Sequence, residues 1–121
     1  MKISLATILL ILVFILSAHA GEADVVHVEV TKSGDSTYQF QVTVSHQDEG
    51  WDHYANKWDI VDSNGTVLGT RVLYHPHTDE QPFTRSLPNV KIPVEIGRVM
   101  VRAHDSVHEY GGKTISVDLP P

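Results

Sequence analysis

The sequence predicts an all-β domain, an antiparallel sandwich of seven strands. After residue 20, apolar and polar residues alternate, as at Tyr38, Phe40, Val42 and Val44, and this period of two is typical of a strand with one buried face. Turn-forming residues interrupt the alternation at intervals of about eight to twelve residues, which is the spacing of a sandwich. No stretch after residue 20 has a sustained helical period.

Turn residues divide this pattern into seven predicted strands. The first turn is 33–36, and Asn64-Gly65 predicts a tight hairpin because both residue types tolerate the positive φ angles of a type I′ turn. The fifth strand is expected to bulge around Pro88-Asn89. The third, fourth and fifth strands are expected over 55–62, 66–73 and 83–92, with Trp58 and Ile60 of the third facing the core. The other four strands are recognised by their inward-facing residues, which in chain order are Val26, Val28 and Val30; Tyr38, Phe40, Val42 and Val44; Val99, Val101 and Ala103; and Ile115, Val117 and Leu119. Seven strands in about a hundred residues fit an immunoglobulin-like or fibronectin type III-like sandwich.

The first twenty residues have the pattern of a signal peptide. Lys2 precedes an almost unbroken apolar run over 3–16, and the small residues of 17–20 supply a cleavage site. The apolar run is too short for a comfortable transmembrane helix. We therefore expect cleavage before Gly21, a single domain over residues 21–121, and a periplasmic or secreted location without a membrane anchor.

Composition narrows the classes of partner. The chain has no cysteine and a formal net charge of −6, which becomes −7 when Lys2 leaves with the signal peptide. Neither nucleic acid nor an anionic membrane surface is an expected partner of such a chain, and cations are its natural ligands. An exported domain of this size without disulfides has to rely on packing, helped by any bound ion. An envelope protein as partner is left open.

Six histidines fall, two at a time, in three of the six connections between the predicted strands. In chain order they are His46 and His53, His75 and His77, and His104 and His108. These are the second, fourth and sixth connections, and in an antiparallel domain connections of even number emerge at the same end. The sequence therefore predicts that six imidazoles gather at one pole, together with carboxylates that can orient them. That arrangement is typical of a transition-metal site.

The residue types at this pole favour Cu(II) or Zn(II) as the bound ion, with Fe less favoured. No cysteine is present and Met100 is the one methionine after residue 20, which disfavours a soft Cu(I) site. The segment 21–23 has no histidine, so an amino-terminal copper chelate that depends on an early histidine is not available. We expect the ligands to come from His53, His75, His77 and His108, with His46 and His104 next, and the carboxylates of Asp52, Asp79, Asp105 and Glu109 to orient them or balance charge.

Other functions stay open on the sequence alone. Ser106 lies close to His104, His108 and Asp105, but adjacency in sequence does not make a catalytic triad, and metal handling without turnover is the expected role. The leading alternative is a non-metal interaction or carbohydrate-binding module, because Trp51, Tyr54, Tyr74 and Tyr110 fall in the same connections. A third interpretation is a pH-responsive surface, since the histidines would gain charge together below about pH 6.5.

Several segments resemble a group of small exported bacterial proteins without an assigned activity. The segments are Trp51-Asp-His-Tyr-Ala-Asn-Lys-Trp58, His75-Pro-His77, Glu80-Gln-Pro-Phe-Thr-Arg85 and Arg102-Ala-His-Asp-Ser-Val-His108. The likeness covers nearly the whole chain after the signal peptide and implies no particular chemistry.

A more distant resemblance is to superoxide reductase and desulfoferrodoxin domains. Those domains are immunoglobulin-like and take iron from histidines before a tryptophan-bearing strand and in the last loop. His53 before Trp58, and His108, are similar in layout, but the His53–Trp58 spacing is one residue longer than the family's and Asp105 stands in place of its cysteine thiolate. The resemblance therefore implies a histidine metal site at this pole and not superoxide chemistry.

Overall fold

The computed structural model describes residues 21–121, which form seven strands in two antiparallel sheets. The strands are β1 (Asp24–Lys32), β2 (Thr37–Ser45), β3 (Ala55–Val61), β4 (Val67–Val72), β5 (Phe83–Lys91), β6 (Arg98–Asp105) and β7 (Ile115–Asp118). One sheet has the order β1-β2-β5 and the other β4-β3-β6-β7. The prediction of an all-β antiparallel fold is confirmed for residues 21–121. The predicted signal peptide, residues 1–20, lies outside the described residues, and no helix within residues 21–121 is long and apolar enough to cross a membrane.

Inward-facing residues of both sheets pack into one hydrophobic core. Phe40 of β2 and Trp58 and Ile60 of β3 are fully buried, as the alternation predicts. In β6 every second residue from Val99 is buried, and the series continues past Ala103 to Asp105. The core therefore reaches the end of β6, where a carboxylate takes the place of an apolar side chain.

Two bulges interrupt the regular pairing. The sequence predicts Val26 to face inward, but Val25 is buried and Val26 is 46% exposed. The pairing of β1 with β2 shifts between Val25 and His27, and this extra residue returns Val28 to the core side. The predicted bulge in β5 is confirmed, because its pairing with β2 skips a residue at the point where Asn89 has a φ of 56°.

The hairpin between β3 and β4 forms where predicted, but not as a type I′ turn. That turn requires positive φ at both central residues, whereas here Gly65 has a φ of 83° and Asn64 is not in that region. The carboxylate of Asp62 accepts hydrogen bonds from the backbone N–H groups of Asn64 (2.8 Å) and Thr66 (2.9 Å). Asp62 thus stabilises an Asx-type turn that leaves the left-handed conformation to the glycine alone.

The connection between β6 and β7 holds the start of the described chain against the domain. The N–H of Val25 donates to the carbonyl of Lys113 (2.8 Å), and the N–H of Lys113 donates to Oδ1 of Asp24 (2.7 Å). Ala23, next to these contacts, is only 1% exposed. The backbone of 23–25 is therefore anchored at the same end of the domain as the β6–β7 connection.

We expect Gly112→Ala to lower the free energy of unfolding by about 2 kcal/mol, because a Cβ at Gly112 would lie 2.0 Å from the carbonyl oxygen of Ala23 and backbone would have to move. Gly97→Ala is the matched control, since no heavy atom lies within 4 Å of its Cβ position. Urea unfolding of both variants measures the difference. Equal stability of the two variants would contradict this packing.

Candidate metal centre

Three connections meet at one end of the domain, the pole. They are 46–54 between β2 and β3, 73–82 between β4 and β5, and 106–114 between β6 and β7. Two buried carboxylates join them. Asp48 in the first connection accepts the backbone N–H of His77 in the second (2.6 Å), and Asp105 at the end of β6 lies 3.2 Å from Nε2 of His53. The structure therefore brings the histidine-bearing connections into direct contact.

His46, His53 and Asp105 form the centre of this pole. One ligand atom from each residue lies within 4.8 Å of those of the other two, and all three residues are buried. His108 borders the group, with its Nδ1 3.3 Å from Oδ1 of Asp105 and its ring centroid 4.9 Å from that of His53. Two or three imidazoles and one carboxylate at such separations can surround a single small cation.

The surroundings of Asp105 favour its carboxylate form and leave one of its two oxygens without a hydrogen bond. Its Oδ1 accepts the backbone N–H groups of Val107 (2.9 Å) and His108 (2.6 Å). Burial alone would raise its pKa, but these two N–H groups and the charges of His46 and His108 lower the pKa below the ordinary value. Its Oδ2 is buried and has no hydrogen-bond partner among the described residues. A buried carboxylate oxygen without a donor is suited to a metal ion.

Both ring nitrogens of His53 face carboxylate oxygens. Nδ1 lies 2.9 Å from Oε1 of Glu49, and Nε2 lies 3.2 Å from Oδ1 of Asp105. A neutral imidazole can donate at only one nitrogen, so the other needs a second proton or a cation between it and its acceptor. Ligand atoms bound tetrahedrally to one zinc ion at about 2.0 Å are roughly 3.3 Å apart, close to the second of these separations. Glu49 would then orient the ring, as carboxylates behind metal-bound histidines do.

Both ring nitrogens of His46 also face acceptor oxygens. Its Nδ1 lies 2.5 Å from Oδ1 of Asp48, and its Nε2 lies 3.0 Å from the carbonyl oxygen of Gly21. Burial lowers the pKa of His46, but the hydrogen bond and charge of Asp48 and the charge of Asp105 outweigh burial and raise the pKa overall. Without a metal, His46 is therefore stabilised as an imidazolium. A metal at Nε2 would replace that proton.

His77 lies beside this group, with no hydrogen-bond partner among the described residues for either ring nitrogen. It is 6% exposed, its ring stacks on Phe83 with centroids 4.0 Å apart, and its Nδ1 is 4.0 Å from Oδ2 of Asp48. Burial, and then the nearby charges of Arg85 and His75, lower its pKa, so the ring is neutral near pH 7. His75 is exposed, with its ring centroid 4.8 Å from that of His77.

His104, the sixth candidate, lies on a different surface. Its Nδ1 pairs with Oδ1 of Asn56 (2.6 Å), and its ring packs edge-on against Tyr110 (4.8 Å). Because Ala103 and Asp105 face inward, His104 faces the outer side of β6. The inward–outward alternation of β6 therefore separates His104 from the other five candidate histidines. The same alternation turns the next residue, Asp105, inward to the centre of the pole.

The pKa values of His46, His77 and His104 are shifted in different directions. The pKa of His46 is raised, with Asp48 and Asp105 overcoming the effect of burial. The pKa of His104 is lowered by burial and by the charge of Lys57, and burial also lowers that of His77. Burial and neighbouring charge therefore spread these titrations over a range of pH.

Asp48 and Gln81 have roles at the pole that sequence reasoning does not identify. The side chain of Asp48 is fully buried and accepts hydrogen bonds from His46 Nδ1 (2.5 Å) and from the N–H groups of Ala55 (3.0 Å) and His77 (2.6 Å). Gln81 accepts the N–H of His46 and donates to the carbonyl of His77, each at 2.9 Å. Neither residue follows strand alternation, so their roles depend on how the loops fold.

Comparison with known proteins gives a relative without an assigned activity. Over 97 residues the chain is 41% identical to a protein of Halomicrobium mukohataei named "Putative lipoprotein". The match covers 80% of this chain and 47% of the relative, so the chain spans about half of that protein's length. No protein-family model matches the chain. No solved structure matches it.

Proposed function

We propose that this chain is an exported protein that binds one divalent transition-metal ion, Cu(II) or Zn(II), at its pole and serves in metal handling. The observation that carries the proposal is the buried group of His46, His53 and Asp105, with ligand atoms within 4.8 Å of one another. Oδ2 of Asp105 and both ring nitrogens of His77 add buried polar atoms without partners among residues 21–121. Such atoms are costly unless something binds them.

The proposed ligands are Nε2 of His46, Nε2 of His53 and a carboxylate oxygen of Asp105. His108 is next, because its Nδ1 lies 3.3 Å from Oδ1 of the same carboxylate. His75 and His77 would join by a small movement of the 73–82 connection. His104 is left out of the ligand set because its ring contacts Asn56 and Tyr110 on the outer side of β6.

The choice of metal follows from the donor atoms. Imidazole nitrogen and carboxylate oxygen suit Cu(II) and Zn(II), with Fe(II) a weaker candidate, and the chain has no cysteine to supply a thiolate. The burial of the three proposed ligands limits access of a substrate to the ion, which favours holding an ion over turnover. The proposed role is therefore binding and delivery, or protection from excess metal.

Export and fold type are part of the same proposal. A three-stranded sheet β1-β2-β5 facing a four-stranded sheet β4-β3-β6-β7 supports a fibronectin type III-like sandwich over residues 21–121. The signal pattern of residues 1–20 supports cleavage before Gly21. A relative named as a lipoprotein supports export, to the periplasm or beyond the cell.

We expect the melting temperature of the metal-free protein to rise by about 10 °C or more when Cu(II) or Zn(II) is added at about 100 times its dissociation constant, and to return when a chelator is added. His53→Ala should abolish most of this rise. His27→Ala is the control, because His27 is exposed on β1 and belongs to none of the three connections of the pole, so it should leave the rise intact. A rise that is the same in both variants would contradict the proposed ligands.

A second candidate function has an observation of its own. Trp51 is 67% exposed and Tyr74 is 76% exposed, and both belong to connections of the pole. Trp51 packs edge-on against Tyr54 with ring centroids 5.6 Å apart. Exposed aromatic faces of this kind can bind a sugar or a partner loop. Tryptophan fluorescence titration with oligosaccharides in the presence of chelator tests this candidate apart from metal binding.

A further inference from the structure

The carbonyl oxygen of Gly21 lies 3.0 Å from Nε2 of His46, one of the proposed metal ligands. We propose that the α-amino group of Gly21, made free by cleavage of the signal peptide, is itself a ligand of the metal at the pole. The inference rests on the proposed function and adds a ligand that comes from processing of the chain. It makes export a condition for completing the site.

The chemistry of an amino-terminal glycine suits this position. The α-amine and the carbonyl oxygen of one residue are linked through only two carbon atoms, so together they can bind one ion in a five-membered chelate ring. Because the carbonyl oxygen of Gly21 is already next to Nε2 of His46, an ion held by that nitrogen is within reach of both groups. No heavy atom lies within 4 Å of the Cβ position of Gly21, so the space beside its backbone is open.

The segment that carries Gly21 is held in place, although its first residue is exposed. Ala23, two residues on, is 1% exposed, and Val25 and Asp24 are hydrogen-bonded to Lys113. The close approach of Gly112 to the carbonyl of Ala23 keeps this segment against the β6–β7 connection. The backbone next to the α-amine is therefore held beside the pole before the metal arrives, which lowers the entropic cost of binding.

The donor set also has a place for this amine. His46, His53 and Asp105 supply three ligands, so the amine completes four for zinc, and the amine together with the carbonyl oxygen of Gly21 makes five for Cu(II), which takes four or more. A neutral amine is a nitrogen donor of the type that both ions accept. An α-amine also releases its proton more readily than a lysine amine, so a metal displaces that proton at lower cost.

The test compares two forms of the chain after residue 20 that differ by one residue. Each is released from a fusion by a site-specific protease, one beginning at Gly21 and the other with one serine before Gly21. The added serine turns the nitrogen of Gly21 into an amide, and acetylation of the serine nitrogen leaves the extended form without a free α-amine at the pole. Dissociation constants for Cu(II) and Zn(II) are measured by competition with a chelating dye, metal-free melting temperatures verify folding, and the mass of the exported native protein identifies its first residue.

We expect the form beginning at Gly21 to bind at least one of the ions about 30-fold or more tightly than the extended form, with equal metal-free melting temperatures. Equal affinity in the two forms would overturn the amine ligand and leave the proposed function standing. Absence of binding in both forms would overturn the proposed function, and this inference with it. The inference would also be overturned if the mass of the native protein shows that its first residue is not Gly21.

Discussion

Asp105→Asn is expected to weaken Cu(II) or Zn(II) binding by about 100-fold or more, because the substitution removes the one anionic ligand of the proposed centre. Asparagine can still accept the N–H groups of Val107 and His108 through its oxygen, so the loop after β6 should keep its conformation. The negative charge that helps to raise the pKa of His46 is lost as well. Isothermal titration of the metal-free protein with each ion measures the effect.

Asp52→Asn is the matched control for this substitution. Asp52 is an exposed carboxylate in the 46–54 connection, so its replacement removes the same charge from the same pole without touching the centre. We expect its metal affinity to stay within about threefold of wild type, since screened surface charges contribute little. An equal loss of affinity in both variants would mean that net charge attracts the ion and that Asp105 is not a ligand.

Asp48→Ala is expected to lower the free energy of unfolding by about 3–5 kcal/mol, a large share of the total stability of a small domain. The substitution leaves the buried N–H groups of Ala55 and His77 without acceptors and leaves His46 without its neighbouring charge. Chemical denaturation followed by circular dichroism measures the loss. Asp79→Ala, an exposed aspartate in the 73–82 connection, should change stability by less than about 0.5 kcal/mol.

The pH dependence of the same variant supplies an independent check. Burial would raise the pKa of Asp48, but hydrogen bonds from His46, His77 and Ala55 lower it below the ordinary 3.8. A carboxyl group with a lowered folded-state pKa contributes stability above its unfolded pKa and loses that contribution as the pH falls through the folded value. The fall in stability at acid pH should therefore be shallower in Asp48→Ala than in wild type. Parallel acid profiles would contradict the role given to Asp48.

Alternation along the strands accounts for most of what could be predicted. It identifies the buried faces of β2, β3 and β6, and with the turn residues it separates the seven strands. It also indicates that His46 continues the inward face of β2. Two errors in local detail, at Val26 and at the 62–65 turn, come from a bulge and from the hydrogen bonds of Asp62, which depend on pairing partners that the sequence alone does not identify.

The composition of the pole was predictable only in part. Strand direction brings three histidine-bearing connections to one end, but it does not say which way a loop side chain turns. His77 turns onto Phe83 and into the domain, whereas His75, two residues away, stays exposed. Asp48 is buried because three connections supply donors to it, and such a convergence exists only after the loops have folded.

The measurement that tests the central claim most directly is the metal content and X-ray absorption spectrum of the exported protein, purified without a histidine tag. We predict about one Cu or Zn ion per chain, surrounded only by nitrogen and oxygen at roughly 2.0–2.1 Å and with the scattering pattern of two or more imidazoles. A protein that is isolated metal-free and takes up neither ion on dialysis would contradict the account. A bound ion with at most one imidazole neighbour would contradict it equally, because His46 and His53 would not both be ligands.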